Sequence, residues 1–478
     1  MSLQRIFVPV RCLWLPFPAF ATGVLLLSSC TTSVQPINPP ERITSLQPDS
    51  WAATENAPET RFTMISTENP HDWIRRFKDS TLDALISEAL RHNPDLKVAA
   101  ARLESARQIL RSTRADLYPS LGIEGSGSRT ESRPQGAPTR TTDVYSLGLG
   151  ASWELDLWGR IRNDASAAVA EQDATGFDLL QARHALIAGV GSTWYQTIAA
   201  AEQLQLAHET LENYRSTTAL IQNRFERGID SALDYRLAAA NAATAESTLA
   251  RREEAFKRSL RALQILIGRY PDAELEVPTQ LPDLLDNAPA GIPAQVIERR
   301  PDVRAAIHRI AAASHAIKAS SRVRLPSILL TGSAGLQSEA FRDLLDSDTE
   351  SWNVALTVNQ PVFTGGRLDA NVQRSRALFE QAQARYEQVV LQAFFEIEQA
   401  LDADLTFAAL ERSAQEAASQ SAEAEQLAWQ QYTSGLINIV TVLESQRFAL
   451  NARQSLIEAR NARLQNRIQL FLALGGDA

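Results

Sequence analysis

The sequence predicts a mainly α fold with membrane β-strands, organised as two tandem structural repeats. Three observations predict it. The chain matches itself at one constant offset, each copy holds alternating apolar runs of strand length, and each holds a proline-free stretch far longer than globular helices.

The first 29 residues stand outside that plan. Arg5 and Arg11 make a basic start, and an apolar run ends in Leu25-Leu26-Leu27-Ser28-Ser29-Cys30. The run is too short and too broken by proline to span a bilayer as a helix, and reads as a secretory signal over residues 1–29. A small-residue site followed directly by Cys is similar to the bacterial lipobox, whose Cys receives diacylglycerol and becomes the mature N-terminus. Cys30 is therefore the expected lipidation site; the alternative is an ordinary signal peptide with a chance Cys. Thr31 stands where an inner-membrane retention signal carries Asp, so the resemblance favours the outer membrane.

Such processing removes Cys12 and consumes Cys30, leaving no thiol pair for a disulfide or a Cys metal site. It also takes the formal charge from −9 to −11. So acidic a chain lacks the electrostatic footprint of a nucleic-acid binder. After the signal no apolar run reaches the ~18 residues of a spanning helix. Any crossing of the bilayer must use β-strands in a closed barrel.

The self-match has an offset of 207 residues without gaps. Asn93-Pro94-Asp95-Leu96 falls on Arg300-Pro301-Asp302-Val303, and Arg102 on Arg309. Pro119-Ser120-Leu121 falls on Pro326-Ser327-Ile328, Gly159-Arg160 on Gly366-Arg367, Gly228 on Gly435 and Gly268 on Gly475. Residues 82–270 thus align with 289–476. A Pro-rich connector occupies 271–298, the second repeat proper runs over 299–476, and residues 30–81 form an extended N-terminal segment.

Each repeat has one plan: a helix ending at Tyr118-Pro119 or Leu325-Pro326, two strands, a very long helix, a glycine-marked turn and a return helix. Leu147, Leu149, Ala151, Trp153, Leu155 and Leu157 alternate with Ser146, Gly148, Gly150, Ser152, Glu154 and Asp156. Trp352, Val354, Leu356 and Val358 alternate with Asn353, Thr357 and Asn359. Leu121 and Ile123, and Ile328 and Leu330, give weaker versions. The polar stretches Arg129–Asp143 and Gln337–Glu350 are expected as long hairpin loops. Alternation alone equally suits a soluble sheet with one wet face; the lipid at Cys30 favours a barrel with an apolar exterior and a polar lumen. Four strands cannot close a barrel when the smallest have about 8. Three chains would supply twelve, hence an expected homotrimer.

The long helices are expected over Ile161–Arg227 and Leu368–Ser434. At ~1.5 Å per residue each is about 100 Å long and needs helical partners along its length. The return helix Ser231–Ile267 is too short alone, and the helix Pro94–Leu117 supplies the missing length. Phe256, Leu260, Leu263 and Ile267 form a packing seam.

Several of these segments together resemble the TolC-like outer-membrane factors, specifically the lipoprotein channels of tripartite resistance-nodulation-division (RND-type) efflux pumps. The match runs from about Trp73 to Gly476. It rests on Trp73, Phe77, Asp79 and Leu82, the Asn93–Arg107 helix, Leu155-Asp156-Leu157-Trp158-Gly159-Arg160, and Gln360-Pro361-Val362-Phe363-Thr364-Gly365-Gly366-Arg367. The resemblance implies a trimer with a twelve-stranded β-barrel continuing into a long periplasmic α-helical barrel. Drugs or other small solutes would leave through its lumen, supplied by an inner-membrane RND-type pump through a periplasmic adaptor (membrane fusion) protein.

Arg224-Phe225-Glu226-Arg227-Gly228-Ile229-Asp230 and Gln431-Tyr432-Thr433-Ser434-Gly435-Leu436-Ile437 look like the family's periplasmic tips. In the family these turns meet the adaptor's helical hairpin, and acids just after them narrow the closed pore. The resemblance makes Asp230, Asp234 and Glu444 the pore-aperture candidates, and Arg227, Gly228, Tyr432 and Gly435 the adaptor-contact candidates. Tyr432 fits a position where an aromatic joins tip hydrogen bonding. Thr441 stands where some relatives carry Asp, so a double acidic ring is not carried over. Read alone, each acid is equally a solvated helix-end carboxylate. Trp158, Gly159 and Gly366 mark the strand-to-helix corner, where Trp158 suits an interfacial ring.

No enzymatic constellation is found. His71, His92, His184, His208, His308 and His315 lack ligand spacing, and Gly189-Val190-Gly191-Ser192 sits inside a long helix, where no phosphate loop forms. No cofactor is expected. Two other functions remain open: the outer-membrane conduit of a type I-like protein-secretion system, and a lipoprotein that trimerises without conducting.

Overall fold

The structure, a computed structural model, describes residues 48, 50–55, 62–64, 74–133, 135–136, 138–284, 288–290, 293–346 and 350–475. The expected signal, Cys30 and Trp73 lie outside the described residues. In chain order the elements are α1 (Ala52–Glu55), β1 (Phe62–Met64), α2 (Ser80–His92), α3 (Pro94–Ala115), β2 (Ser120–Ser132), β3 (Arg140–Glu154), α4 (Arg160–Glu226) and α5 (Ala232–Ile267). The second half continues with β4 (Ala288–Ala290), α6 (Pro293–Arg299), α7 (Pro301–Arg322), β5 (Ser327–Ser338), β6 (Glu350–Asn359), α8 (Arg367–Thr433) and α9 (Ile439–Ala473).

The repeat seen in sequence is a repeat in space. Helices α4 and α8 have 67 residues each, and their limits fall one residue from those the glycines predict. Polar contacts repeat at the same offset with different side chains. Asn93 caps α3 through Leu96 N–H (3.0 Å) and donates from Nδ2 to Leu266 O at 2.9 Å. Its equivalent, Arg300, donates from Nη1 to Ala473 O at 2.8 Å. The Arg300 charge is buried and is held by Asp302 and Glu396 at 2.7 and 2.8 Å, as a buried charge must be. Each contact ties the start of a short helix to the end of its return helix, stacking the two end to end beside a long one.

Strands β2, β3, β5 and β6 form one antiparallel sheet in that order. Its register sorts residues by face, since directly opposed residues share a side. Ile123, Leu149 and Ala334 lie in one cross-strand row, and Ile328 and Val358 in another. The opposite face carries Ser126, Ser146, Gln337, Thr331 and Ala355. One side is apolar and bare, with Leu121 72 % and Trp352 80 % exposed. The polar side is paved with small residues.

One expectation is corrected. Most of Arg129–Asp143 is not loop but ladder, with Arg129 opposite Asp143 and Ser132 opposite Arg140. The bidentate pair from Arg129 to Asp143, 2.7 and 2.8 Å, bridges the two strands. The apolar alternation runs out before the pairing does. The second polar stretch is a true connection, with a short 3₁₀ turn at Phe341–Asp343.

Two adjoining cores fix the middle of the molecule. Leu82, Leu85 and Ile86 of α2 pack with Trp194, Tyr195 and Ile198 of α4, Leu263 and Ile267 of α5, and Leu464 and Ile468 of α9. In the second repeat Val303 and Ile310 of α7 pack with Val390, Ile397 and Leu401 of α8 and Leu470 of α9. A buried ion pair, Arg467 to Asp404 at 3.0 Å, links α9 to α8 beside them. Below these cores the helices continue as two antiparallel pairs, α4 with α5 and α8 with α9, ending in the two turns.

Candidate functional site

The two turns share one geometry. Helix α4 closes with Gly228 N–H donating to Phe225 O (2.8 Å) and Ile229 N–H to Arg224 O (2.9 Å). Helix α8 closes with Gly435 N–H to Tyr432 O and Leu436 N–H to Gln431 O, both 2.9 Å. This is the Schellman pattern, and it requires a left-handed residue at the reversal. Gly228 (φ 72°) and Gly435 (φ 74°) supply it. Arg227 is the exposed C-cap residue of α4.

The return helices then start with side-chain caps. Ser231 and Asp234 form a reciprocal capping box: Asp234 N–H donates to Ser231 Oγ (3.2 Å) and Ser231 N–H to Asp234 Oδ2 (3.0 Å). Thr441 N–H donates to Asn438 Oδ1 at 3.2 Å. Asp234 is therefore part of the helix start whatever else it does. Glu444 lies one turn into α9, half exposed, and accepts from Arg447 at 2.5 Å.

Asp230 is in a different environment from the other two acids. Its side chain is 10 % exposed and accepts from Arg224 Nε at 2.9 Å and from Tyr432 Oη at 2.7 Å. The Arg224 guanidinium also sits 5.0 Å from the centre of the Tyr432 ring, a cation–π approach. Burial, and then the hydrogen bond to Asp230, pushes the Tyr432 hydroxyl up to about 12. Two of the sequence-derived residues, Asp230 and Tyr432, are thus brought together; Asp234 and Glu444 are not part of their network. Arg224 is the member that sequence reasoning passed over. Its signal was an asymmetry: its repeat-equivalent is Gln431, and that of Asp230 is Ile437, so only one turn carries an opposed pair of charges.

Around this network the tips are apolar and open. Ile229, Leu233 and Leu436 are exposed, and Phe225 stacks on Tyr235 at 6.0 Å. Ile221, Ala238, Ile439 and Val442 make a small core behind them. A groove of about 640 Å³ runs above the turns between α4, α8 and α9, lined by Asn213, Thr217, Glu425, Trp429, Gln446 and Arg453. Burial raises the Glu425 carboxyl.

At the other end, Trp158 Nε1 donates to Pro326 O at 2.7 Å, fastening the exit of the first hairpin to the entry of the second. Gly159 (φ 80°) and Gly366 (φ 81°) are the left-handed N-caps of α4 and α8. Asp156 accepts from Ile161 N–H and Arg162 N–H at 3.1 and 2.9 Å, supplying the side-chain cap that Gly159 lacks.

Among the described residues no group of three His, Cys, Asp or Glu could hold a metal. His308 lies 3.8 Å from Asp173 across α7 and α4, a pair rather than a ligand set. No described helix is long and apolar enough to cross a membrane.

An amphipathic sheet above two long antiparallel helix pairs, with one hairpin and one pair from each repeat, is the build of an outer-membrane channel protein. The chain belongs to the outer membrane efflux protein family, whose model matches residues 85–269 and 292–476, once per repeat. That family is one of efflux channels, not an enzyme class. Among its relatives, the solvent efflux pump outer membrane protein SrpC of Pseudomonas putida is 33% identical over 410 residues, covering 84% of this chain and 86% of the relative. Outer membrane protein OprJ of Pseudomonas aeruginosa is 32% identical, covering 96% of both chains. The cation efflux system protein CusC of Escherichia coli is 32% identical, covering 84% and 88%. Among solved structures, the outer-membrane channel OprN superposes with a TM-score of 0.83 at 27% identity, covering 92% of this chain and 99% of that one. The open state of the Neisseria gonorrhoeae MtrE outer membrane channel gives 0.76 at 28% identity, covering 90% and 97%.

Proposed function

We propose that this chain is the exit duct of a tripartite efflux system, a lipid-anchored homotrimer through which drugs, solvents or other small solutes leave the cell. The observation that carries it is the sheet: one bare apolar face, one face of small polar residues, and two edge strands, β2 and β6, with no partner in the described chain. Unpaired backbone is not tolerated in lipid, so neighbouring copies complete the wall around a wet lumen. Three copies give twelve strands, within the range of outer-membrane barrels. Cys30 carries the lipid at the periplasmic side, and α4, α5, α8 and α9 extend into the periplasm as a helical barrel.

The turns at Gly228 and Gly435 are the periplasmic end. Arg227, Gly228, Gly435 and the exposed apolar residues beside them receive the adaptor, which couples the duct to an inner-membrane RND-type pump; Tyr432 is buried behind them and shapes the turns rather than touching the adaptor. Asp234 and Glu444 ring the aperture, and the Arg224–Asp230–Tyr432 network holds the two turns together in the resting state. The relatives' names, which include solvent and cation efflux, support export of small solutes over proteins. A deletion strain tests this against its alternatives. Efflux predicts hypersensitivity to toxic solutes with an unchanged set of secreted proteins; lost secretion with unchanged susceptibility would give the secretion conduit instead. A purified protein without conductance in planar bilayers would leave only a structural lipoprotein.

A further inference from the structure

We infer the strand register by which one copy of this chain joins the next: β6 of one copy pairs antiparallel with β2 of its neighbour, Thr357 facing Ser126 and Ala355 facing Ser128. This rests on the shared-barrel reading above and adds the residue contacts that reading leaves open.

Inside the chain the two repeats already meet edge to edge. Strand β3 of the first pairs with β5 of the second, Gly150 facing Ser333 and Gly148 facing Gly335. Moved by the 207-residue offset, β3 becomes β6 and β5 becomes β2. Those are the two edges of the sheet. A neighbouring copy therefore offers β6 the edge that β5 offers β3, and the same register follows.

The offset governs geometry as well as sequence. Trp153 Nε1 donates to Leu117 O at 3.0 Å, and the equivalent Gln360 Nε2 donates to Arg324 O at 3.1 Å. Ser120 Oγ donates to Ser152 O, and the equivalent Ser327 Oγ to Asn359 O, at 3.2 and 3.4 Å. Even where the side chain changes from Trp153 to Gln360 the contact is kept, so the backbone plan is what repeats.

Two further features agree with the transferred register. It sets Gly125 beside Val358 and Gly127 beside Leu356 on the apolar face, while Ser126, Ser128, Ala355 and Thr357 share the polar face. A slip of one residue would turn the apolar set of one strand toward the lumen. The second feature sits at the strand exit. Leu155 N–H donates to Ile328 O at 2.8 Å within the chain; the equivalent bond runs from Val362 to Leu121 of the neighbour. In the single chain Val362 is 94 % exposed, whereas its equivalent Leu155 is half-buried where it bonds to β5. The neighbour's β2 supplies the missing cover.

Because Leu155 and Ile328 are joined by a ladder hydrogen bond, pairs an odd number of positions away are the closely spaced, non-bonded kind. The Thr357–Ser126 and Asn353–Thr130 pairs, equivalent to Gly150–Ser333 and Ser146–Gln337 within the chain, inherit that spacing, which suits a disulfide. The test uses full-length protein in native outer membranes, oxidised with copper phenanthroline. Ser126→Cys with Thr357→Cys, and separately Thr130→Cys with Asn353→Cys, should give reducible dimers and trimers. Each should exceed the two-residue offset pair Ser128→Cys with Thr357→Cys by roughly fivefold or more, since disulfide geometry tolerates little displacement. Ser146→Cys with Gln337→Cys, opposed within the chain, shows that oxidation reaches the sheet without linking copies. Equal or better linkage by the offset pair overturns the register. Amine cross-linking of the unmodified protein separates the two levels: an oligomer ladder with both matched pairs unlinked removes the register alone, and a monomer removes the shared barrel too.

Discussion

The Tyr432 hydroxyl donates to Asp230 Oδ2 across 2.7 Å, joining the end of α8 to the turn after α4 although 202 positions separate them. It is a direct tie between the two helix pairs at their open ends. Tyr432→Phe removes the donor and keeps the ring over Arg224. Loss of a hydrogen bond to a charged group costs about 1.5–3 kcal/mol, nearer the lower end here because Asp230 retains Arg224. Resting conductance in planar bilayers should rise; a conductance equal to wild type would show that the bond does not restrain the turns.

The same hydroxyl predicts a pH dependence. Its folded value, about 12, lies above the ordinary value of 10.0, so folding favours the protonated phenol. The stabilisation is complete below pH ~10, where the unfolded group is also neutral, and is lost as pH rises toward and through the folded value. The gap in thermal midpoint between wild type and Tyr432→Phe should therefore be constant from pH 7 to 9 and close between about pH 10 and 12. A gap that stays unchanged through pH 12 would mean that ionisation of the phenol does not weaken this tie.

Asp234 and Glu444 call for substitutions that separate charge from capping. Asp234→Ala removes the N3 half of the capping box with Ser231 and should destabilise the start of α5, confounding any effect on the pore. Asp234→Asn with Glu444→Gln keeps oxygen acceptors in place and removes two charges per copy. If these acids ring the aperture, the pair should reduce cation preference, read as a reversal-potential shift in a salt gradient, and raise resting conductance. An unmoved reversal potential would take them out of the pore.

How far these features were legible in sequence depends on where their signal lies. The long helices were placed to within one residue because Gly159, Gly228, Gly366 and Gly435 punctuate them, and a left-handed glycine marks a helix end locally. The last four residues of β2, Arg129 to Ser132, carry no strand signal because Ser126 to Ser132 contains no apolar residue, so period two has nothing to act on. Their pairing is fixed by the neighbouring strand. The Arg224–Asp230–Tyr432 network could not be read from one turn alone, since Tyr432 comes from the other repeat and its approach is decided by tertiary packing. The glycines announced where the site is; only the packing of α4 against α9 and α8 determines which side chains meet there.

Buried Asp404 and Arg467 give a stability prediction remote from the tips. Both side chains are almost fully enclosed, 2% and 3% exposed. Asp404→Ala takes one partner out of a buried ion pair and should cost about 3–5 kcal/mol. Asp404→Leu combined with Arg467→Met removes both charges at similar volume and should recover most of that loss. Thermal unfolding in detergent reads both; a double variant as weak as Asp404→Ala would mean that Arg467 is needed for its other contacts rather than for the pair.

The last prediction concerns the seam between repeats within the sheet. At Gly335 an added Cβ would lie 2.4 Å from Leu147 O and 2.5 Å from Gly148 Cα, distances no side chain can occupy, and both obstacles are backbone. At Gly332, three residues earlier on the same strand, the nearest atom would be Asn353 O at 3.7 Å, an ordinary contact. Gly335→Ala must therefore push β3 from β5, breaking ladder bonds that nothing in lipid can replace, whereas Gly332→Ala is accommodated. On gels run without boiling, Gly335→Ala should lose most of its heat-resistant oligomer and Gly332→Ala should keep it. Because β3 and β5 belong to different repeats, the loss would show that the seam between the two halves of one chain has to close before copies can assemble.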